Sequence, residues 1–89
     1  MLEYTWDETK NEWLKEVRGI SFEQILYHIN HGDLIATVRN PNQRRYLGQR
    51  LYLVAINGYA WVVPFDRTGT VVTLRTAYPS REYTEFYLW

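Results

Sequence analysis

The amino-acid sequence predicts an α+β domain in which two helices precede a mostly antiparallel β-sheet. Apolar residues recur at helical spacing up to residue 32, β-branched and aromatic runs follow from residue 34, and an Asn-Gly pair separates two of those runs. The expected order of elements is β-α-α-β-β-β-β-α, with two helices packed on one face of the sheet. Because a chain of 89 residues is the size of one small domain, residues 1–89 are expected to form a single domain.

The N-terminal third is expected to form a short strand and both of these helices. Residues 2–6, with the sequence LEYTW, alternate apolar and polar side chains as a half-buried strand does. Asp7 is suited to cap a helix over roughly residues 8–17. The second helix begins at a capping box, in which Ser21 is followed by Gln24 at the third helical position.

Four strands and a last helix are expected in the remainder of the chain. The strands are residues 34–39, 50–56, 59–65 and 70–78. Asn57-Gly58 lies between two of them, and this dipeptide favours a type I′ hairpin because both of its residues tolerate positive φ. Pro64 lacks an amide N–H and is expected to mark a strand end or a bulge, with a turn at residues 66–69. Ser80 is suited to cap a short C-terminal helix.

Composition indicates a soluble, folded protein. Hydrophobic residues make up 46% of the chain and aromatic residues 17%, which argues against disorder. No apolar run is long enough to span a bilayer and no signal-peptide pattern is present, so we expect a cytoplasmic protein without a membrane segment. The absence of cysteine excludes disulfides and thiolate chemistry. The histidines and acids lack metal-ligand spacing, so no metal and no cofactor is expected.

The zero net charge hides a division along the chain. Residues 1–38 contain seven acids and three bases, whereas residues 39–81 contain seven bases and a single acid, Asp66. All seven bases are arginine: Arg39, Arg44, Arg45, Arg50, Arg67, Arg75 and Arg81. The planar guanidinium suits phosphate and carboxylate groups, so this excess indicates an anion-binding surface. The alternative is a solvated face of the sheet.

Strand geometry suggests where three of these arginines meet. Side chains alternate along a strand, so Arg75 is expected on the opposite face from Val72 and Leu74, which point toward the helices. Arg81 follows just past the end of this strand, and Arg50 begins an earlier one. We therefore expect these three arginines to converge on one side of the sheet and to form an anion site.

Several short motifs occur in a fixed order along the chain. They are Trp6-Asp7, Lys10-Asn11, Ser21-Phe22-Glu23, Gly48, Arg75 and Ser80-Arg81. Together with the stretches NPNQRRYLGQRLYLVAI and LRTAYPSR, this series resembles the BrnT-type toxins, which are RelE-like RNA-cleaving toxins of bacterial toxin–antitoxin pairs. The resemblance covers nearly the whole chain. The sequence departs from it at Arg18-Gly19, where many members carry His-Gly, and in a shorter, more aromatic C-terminal helix.

The resemblance implies a RelE-like fold and the function of a type II toxin. Such a toxin is a metal-independent endoribonuclease that cleaves mRNA, free or on the ribosome, and arrests translation until a cognate antitoxin protein binds it. Because the ribose 2′-OH is the nucleophile, the enzyme supplies a base, an acid and cations for the phosphorane oxygens. The sequence leaves a second function open, a non-catalytic binding module whose arginine-rich face holds nucleic acid or an acidic protein.

The expected catalytic residues are Arg81, Arg75, Arg50, Tyr78 and His28. The three arginines suit charge stabilisation, because arginine keeps its proton at any working pH and is for that reason a poor acid or base. A proton carrier must therefore be another residue type. The candidates are His28, His31, Tyr78, Tyr83, Lys10 and Glu82. The alternative for each histidine is a structural role.

Further residues are expected to contact RNA. They are Arg39, Arg44, Arg45, Lys10 and Tyr83. Cationic side chains suit the phosphates, and tyrosine rings stack on bases in sequence-tolerant RNA contacts. Lys10 has an alternative role in the first turn of its helix, and Tyr83 has one in packing the last helix onto the sheet.

Overall fold

The computed structural model of the protein describes residues 1–89, which form three helices and six strands. The strands are β1 Glu3–Thr5, β2 Leu34–Arg39, β3 Arg50–Ile56, β4 Tyr59–Thr68, β5 Val71–Leu74 and β6 Tyr78–Pro79. The helices are α1 Glu8–Arg18, α2 Phe22–Asn30 and α3 Arg81–Tyr87. The predicted α+β class is confirmed, and the elements follow the predicted order with β6 as an addition. None of the three helices is long and apolar enough to cross a membrane.

The six strands form one mixed sheet. Its order is β1-β5-β4-β3-β2, and β6 pairs with β4 beyond the end of β5. β1 runs parallel to β5, and all other pairs are antiparallel. The β3–β4 hairpin is confirmed, because Ile56 pairs with Tyr59 across a turn in which Asn57 has φ 54° and Gly58 has φ 76°.

Strand β4 is longer than the sequence predicted. It runs through Pro64 to Thr68, and the turn that ends it lies at Gly69, which has φ 61°. The Pro64 carbonyl accepts a hydrogen bond of 2.9 Å from the Arg75 amide. The main chain of Pro64 therefore faces the edge that β5 and β6 share, and it lies in the gap between them, since β5 pairing starts at Phe65. A missing N–H breaks no ladder hydrogen bond in that gap.

The predicted strand over residues 70–78 is interrupted in the structure. β5 ends at Leu74, and the chain re-enters the sheet as β6 at Tyr78. Arg18 of α1 donates a hydrogen bond of 2.6 Å to the carbonyl of Ala77, in the irregular segment between the two strands. This break resets the alternation of faces, so Ala77 is fully buried in the same core as Val72 and Leu74, whereas an unbroken strand would place it on the face of Arg75.

Two apolar cores lie on opposite faces of the sheet. The larger core joins side chains of α1 and α2 to the sheet residues Tyr52, Val54 and Phe65, among others. We call this side of the sheet the helix face. The smaller core contains Leu51, Leu53 and Val62, and Tyr83 of α3 packs against it. The prediction of two helices on one face is therefore correct, and α3 covers part of the other face, which we call the α3 face.

A buried asparagine joins α1 to the start of α2. Asn11 is fully buried, and its amide nitrogen donates to Glu8 at 3.0 Å and to Glu23 at 2.7 Å. Its amide oxygen accepts a hydrogen bond of 2.8 Å from the Phe22 amide. Asn11, Phe22 and Glu23 belong to the motifs that carry the family resemblance, so those motifs have a structural role. The capping box predicted at Ser21 is also present.

A buried threonine anchors α3 to β4. Thr84 is fully buried, and its hydroxyl oxygen accepts a hydrogen bond of 2.8 Å from the Ala60 amide while donating to the Ser80 carbonyl. The Ser80 amide in turn donates to the Ala60 carbonyl, and the Ser80 hydroxyl caps α3 as predicted. These bonds attach the first turn of α3 to β4.

Candidate functional site

A cleft of about 590 Å³ opens on the helix face of the sheet. It is lined by Thr37, Gly48, Arg50, Tyr52, Phe65, Arg67 and Gly69. No helix residue and no acidic residue belongs to this lining. The helices therefore do not line the cleft, and strand residues form its floor.

Sheet register brings Arg39 to the same face as Arg50 and Arg67, the two arginines that line this cleft. Arg50 pairs directly with Arg39 on one side and with Phe65 on the other, and direct partners share a face. Arg67 lies two residues beyond Phe65 on β4, so it points to the same face. Cβ atoms of direct partners lie about 5 Å apart and those of diagonal neighbours about 7–8 Å apart. We call Arg39, Arg50 and Arg67 the cleft arginines.

The cleft arginines are exposed and lack acidic partners. The four ion pairs of the protein are Lys15–Glu12, His28–Asp33, Arg75–Asp66 and Arg81–Glu85. No carboxylate therefore lies within 4 Å of a cleft arginine. Like charges placed directly opposite each other on neighbouring strands, as Arg39 and Arg50 are, destabilise a sheet. A bound anion would remove that repulsion.

Tyr52 places a phenol in the lining of the cleft. Its ring is almost fully buried and stacks on Phe65, with 3.9 Å between ring centroids and 12° between planes. Burial, together with the neighbouring Tyr4 hydroxyl, raises the pKa of Tyr52 to about 12, although the positive charge of Arg67 acts in the opposite direction. The phenol therefore stays protonated at neutral pH.

The structure does not bring Arg50 together with Arg75 and Arg81. Arg75 donates from Nε to the carboxylate of Asp66, which follows Phe65 on β4 and so points to the α3 face. Arg81 is in the first turn of α3 and donates from Nε to Glu85 at 3.0 Å. The predicted convergence is thus not found, because the register puts Arg50 on one face and the Arg75 ion pair on the other.

Tyr78 and Tyr83 also lie on the α3 face. Tyr78 pairs with Val62, which belongs to the smaller core, and Tyr83 packs against the same core. Partial burial is the main cause that raises the pKa of Tyr78, and nearby tyrosines add to it. Neither ring lines the cleft, and the packing role considered for Tyr83 agrees with its contacts.

His28 lies far from the cleft. Its Nδ1 is 2.7 Å from the carboxylate of Asp33, where α2 leads into β2. The Asp33 carbonyl accepts from the Ala55 amide, near the hairpin end of β3, whereas Arg50 begins that strand. Five residues of extended chain separate these points, which is roughly 17 Å at 3.4 Å per residue. His28 is therefore not placed to exchange a proton with a ligand in the cleft.

The other expected RNA contacts are placed in different parts of the surface. Arg44 and Arg45 are exposed on the β2–β3 connection, which reaches the cleft through Gly48. No carboxylate lies within 4 Å of either guanidinium. Lys10 instead covers the ring of Trp13 on α1, with its Nζ 4.2 Å from the ring centroid.

Two cleft residues were absent from the predicted site. Arg67 was missed because residues 66–69 were assigned to a turn. Tyr52 was missed because it lies in a mostly apolar strand, where a tyrosine is expected to pack in the core. The hairpin contained the necessary signal. Counting back from Asn57-Gly58 pairs Arg50 with Phe65, and alternation then places Tyr52 on the same face as Arg50.

No family model matches this chain, no curated protein is significantly similar to its sequence, and no solved structure is significantly similar to its fold. The resemblance to BrnT-type toxins therefore rests on the sequence motifs alone. No group of three or more His, Asp or Glu side chains is arranged to hold a metal ion.

Proposed function

We propose that this protein is an RNA-cleaving toxin of the BrnT type with a RelE-like topology. Two findings support the proposal: the fold is α+β with its elements in the predicted order, and a cationic cleft lies on the sheet. The observation that carries it is the set of three exposed cleft arginines without a carboxylate within 4 Å. The proposal places RNA in the cleft on the helix face.

The cleft arginines suit a phosphodiester that passes through a more highly charged state. Arg39 and Arg50 are direct cross-strand partners, close enough to bind the same phosphate, and Arg67 is a diagonal neighbour of Arg50. Guanidinium groups bind phosphate oxygens through two parallel hydrogen bonds. When the 2′-oxygen attacks phosphorus, the phosphorane gains negative charge that these groups stabilise. Removing one such donor from an enzyme typically lowers kcat by about 10²–10³-fold.

Neighbouring positive charges extend the surface along an RNA strand. Arg44 and Arg45 lie on the connection that ends beside the cleft, and neither is paired with an acid. In this proposal they contact phosphates that flank the scissile one. Arg75 and Arg81 are assigned no direct role, because Asp66 and Glu85 already bind them.

The proposal also includes a cognate antitoxin and a cytoplasmic location. An antitoxin that places acidic side chains over the cleft arginines would occupy their guanidinium groups, as Asp66 occupies that of Arg75, and would thereby exclude RNA. Co-expression with the neighbouring open reading frame tests whether that frame encodes the antitoxin. Growth restored by that frame, together with a complex that co-purifies, supports it, and continued arrest with no complex contradicts it.

Induction in a bacterial host, followed by mapping of RNA ends, tests the enzymatic function. We expect growth arrest and new RNA ends from the natural sequence, and loss of both in the double variant Arg50→Gln and Arg67→Gln. The double variant Arg75→Gln and Arg81→Gln is the matched control, since it removes the same charge from the α3 face, and it should still arrest growth. Intact RNA after incubation with the purified protein, both with and without ribosomes, would exclude cleavage.

A second function, non-catalytic binding of nucleic acid, is favoured by one observation. No histidine lines the cleft, and the titratable lining residue other than arginine is Tyr52, whose pKa is raised to about 12 and which is therefore protonated at neutral pH. The cleft therefore contains charge stabilisers and a proton donor but no group that accepts a proton near neutral pH. RNA that binds the cleft arginines and stays intact would support this function in place of the first.

A further inference from the structure

Tyr52 occupies an unusual position for a buried tyrosine. Its ring belongs to the larger core and stacks on Phe65, yet the residue also lines the cleft, as Arg50 and Arg67 do. The positive charge of Arg67 favours the phenolate, but burial and the neighbouring Tyr4 hydroxyl oppose ionisation and prevail. The core thus holds a neutral phenol, with the ring fixed by stacking, beside the groups proposed to bind phosphate.

We propose that the Tyr52 hydroxyl donates the proton to the leaving 5′-oxygen when RNA is cleaved in the cleft, an inference that rests on the proposed ribonuclease function. The substrate class is a single-stranded RNA phosphodiester with a free 2′-OH. Arg50, two residues before Tyr52 on the same face of β3, and Arg67, which lines the same cleft, hold the phosphate oxygens.

The step balances without a cofactor. The 2′-oxygen forms a bond to phosphorus and gives its proton to water in the open cleft. The bond between phosphorus and the 5′-oxygen breaks, and its electron pair stays on that oxygen, which takes the proton of Tyr52. The products are a 2′,3′-cyclic phosphate and a 5′-hydroxyl, and the phenolate regains a proton from water.

Other lining residues are poorly suited to this role. Arg50 and Arg67 hold their protons too strongly to act as acids. The Thr37 hydroxyl is a far weaker acid than a phenol. Tyr78 is a phenol with a raised pKa, but it lies on the α3 face with Val62. Tyr52 is therefore the lining residue that combines a phenolic proton with a ring fixed by stacking.

Two substrates separate proton donation from other roles. The first is a short RNA with an ordinary linkage, and the second carries sulfur in place of the bridging 5′-oxygen, so its thiolate leaves without a proton. We expect Tyr52→Phe to cleave the first about 10²-fold more slowly than the natural protein, in the range of general acid catalysis. We expect its rate on the second to change by less than about 3-fold, because departure of a thiolate does not depend on general acid catalysis.

The comparison has internal controls. Tyr52→Phe keeps the ring that stacks on Phe65, and the ratio of the two rates does not depend on how much of the variant is folded. Tyr27→Phe removes a hydroxyl from the exposed surface of α2 and should leave both rates unchanged. Equal slowing of both substrates by Tyr52→Phe, or no slowing, overturns this inference and leaves the ribonuclease function standing. A natural protein that cleaves neither substrate overturns that function and this inference with it.

Discussion

The two faces of the sheet carry arginines in opposite electrostatic states. On the helix face, Arg50 and Arg67 line a cleft without an acidic residue. On the α3 face, Arg75 is bound to Asp66, and Arg81 is bound to Glu85 within α3. All four side chains are exposed and carry the same charge, so residue type alone does not distinguish them. The difference teaches that availability to an anion depends on which acids the register places beside each guanidinium.

The largest expected effect is the loss of RNA binding when the helix face loses its charge. The triple variant Arg39→Gln, Arg50→Gln and Arg67→Gln should bind single-stranded RNA about 100-fold more weakly at low salt. The slope of log affinity against log salt should also fall by about 2, because each phosphate contact to a single strand contributes about 0.7. Filter binding across a salt series measures both values. The variant Arg75→Gln and Arg81→Gln should keep the natural slope, and an equal loss there would remove the distinction between the faces.

A change on the α3 face should affect stability and leave the cleft intact. Thr84→Val keeps the side-chain volume but removes the oxygen that accepts from the buried Ala60 amide. We expect a loss of about 1–3 kcal/mol in the free energy of unfolding, which is the cost of leaving a buried donor without a partner. Urea unfolding measures this change. Thr84→Ser retains the hydroxyl and should lose less, and RNA affinity of the folded Thr84→Val protein should be unchanged.

An acid introduced into the cleft should make the two faces alike. Thr37 pairs with Tyr52 and lies two residues before Arg39 on the helix face. Thr37→Glu should lower RNA affinity about 10-fold, since a charged hydrogen bond contributes about 1.5–3 kcal/mol and one guanidinium becomes occupied. Thr37→Gln is the isosteric control and should lose much less affinity. Equal affinities of the two variants would show that the charge of this lining is unimportant.

The smallest effect is confined to alkaline solution. Burial raises the pKa of Tyr52 from 10.0 to about 12, so folding favours the protonated phenol. Its contribution to stability is complete below the unfolded pKa of 10.0 and is lost as pH rises toward 12. Tyr52→Phe should therefore make the unfolding free energy less dependent on pH between 10 and 12. The pKa of Tyr78 is also raised, and Tyr78→Phe on the α3 face provides the comparison. An unchanged pH profile for Tyr52→Phe would contradict the inferred burial of its hydroxyl.

Local signals in the sequence were sufficient for most of the fold. The helix caps at Asp7, Ser21 and Ser80 were predicted and are present, as is the Asn57-Gly58 turn. Each of these features depends on side-chain and backbone preferences within about four residues, which a sequence displays directly.

Predictions that depended on distant pairing were less accurate. Pro64 was expected to mark a strand end or a bulge, but β5 and β6 leave a gap beside it that tolerates proline. The single strand expected over residues 70–78 is interrupted after Leu74, and Ala77 in the irregular segment is buried in the larger core. The sequence does not show which strand lies beside a proline or beside an alternating segment. Strand pairing therefore decides whether the proline is tolerated and whether the alternation continues.

The sequence by itself determined the α+β class, the order of elements and the concentration of arginine after residue 38. Only the tertiary structure decided which arginines remain free of acids. Arg39, Arg50 and Arg67 meet on the helix face because β2, β3 and β4 pair in one register, whereas the same pairing places Asp66 on the opposite face, beside Arg75. The physical reason is that charges interact through space over a few ångströms, and residues far apart in sequence reach that distance only when the strands pair.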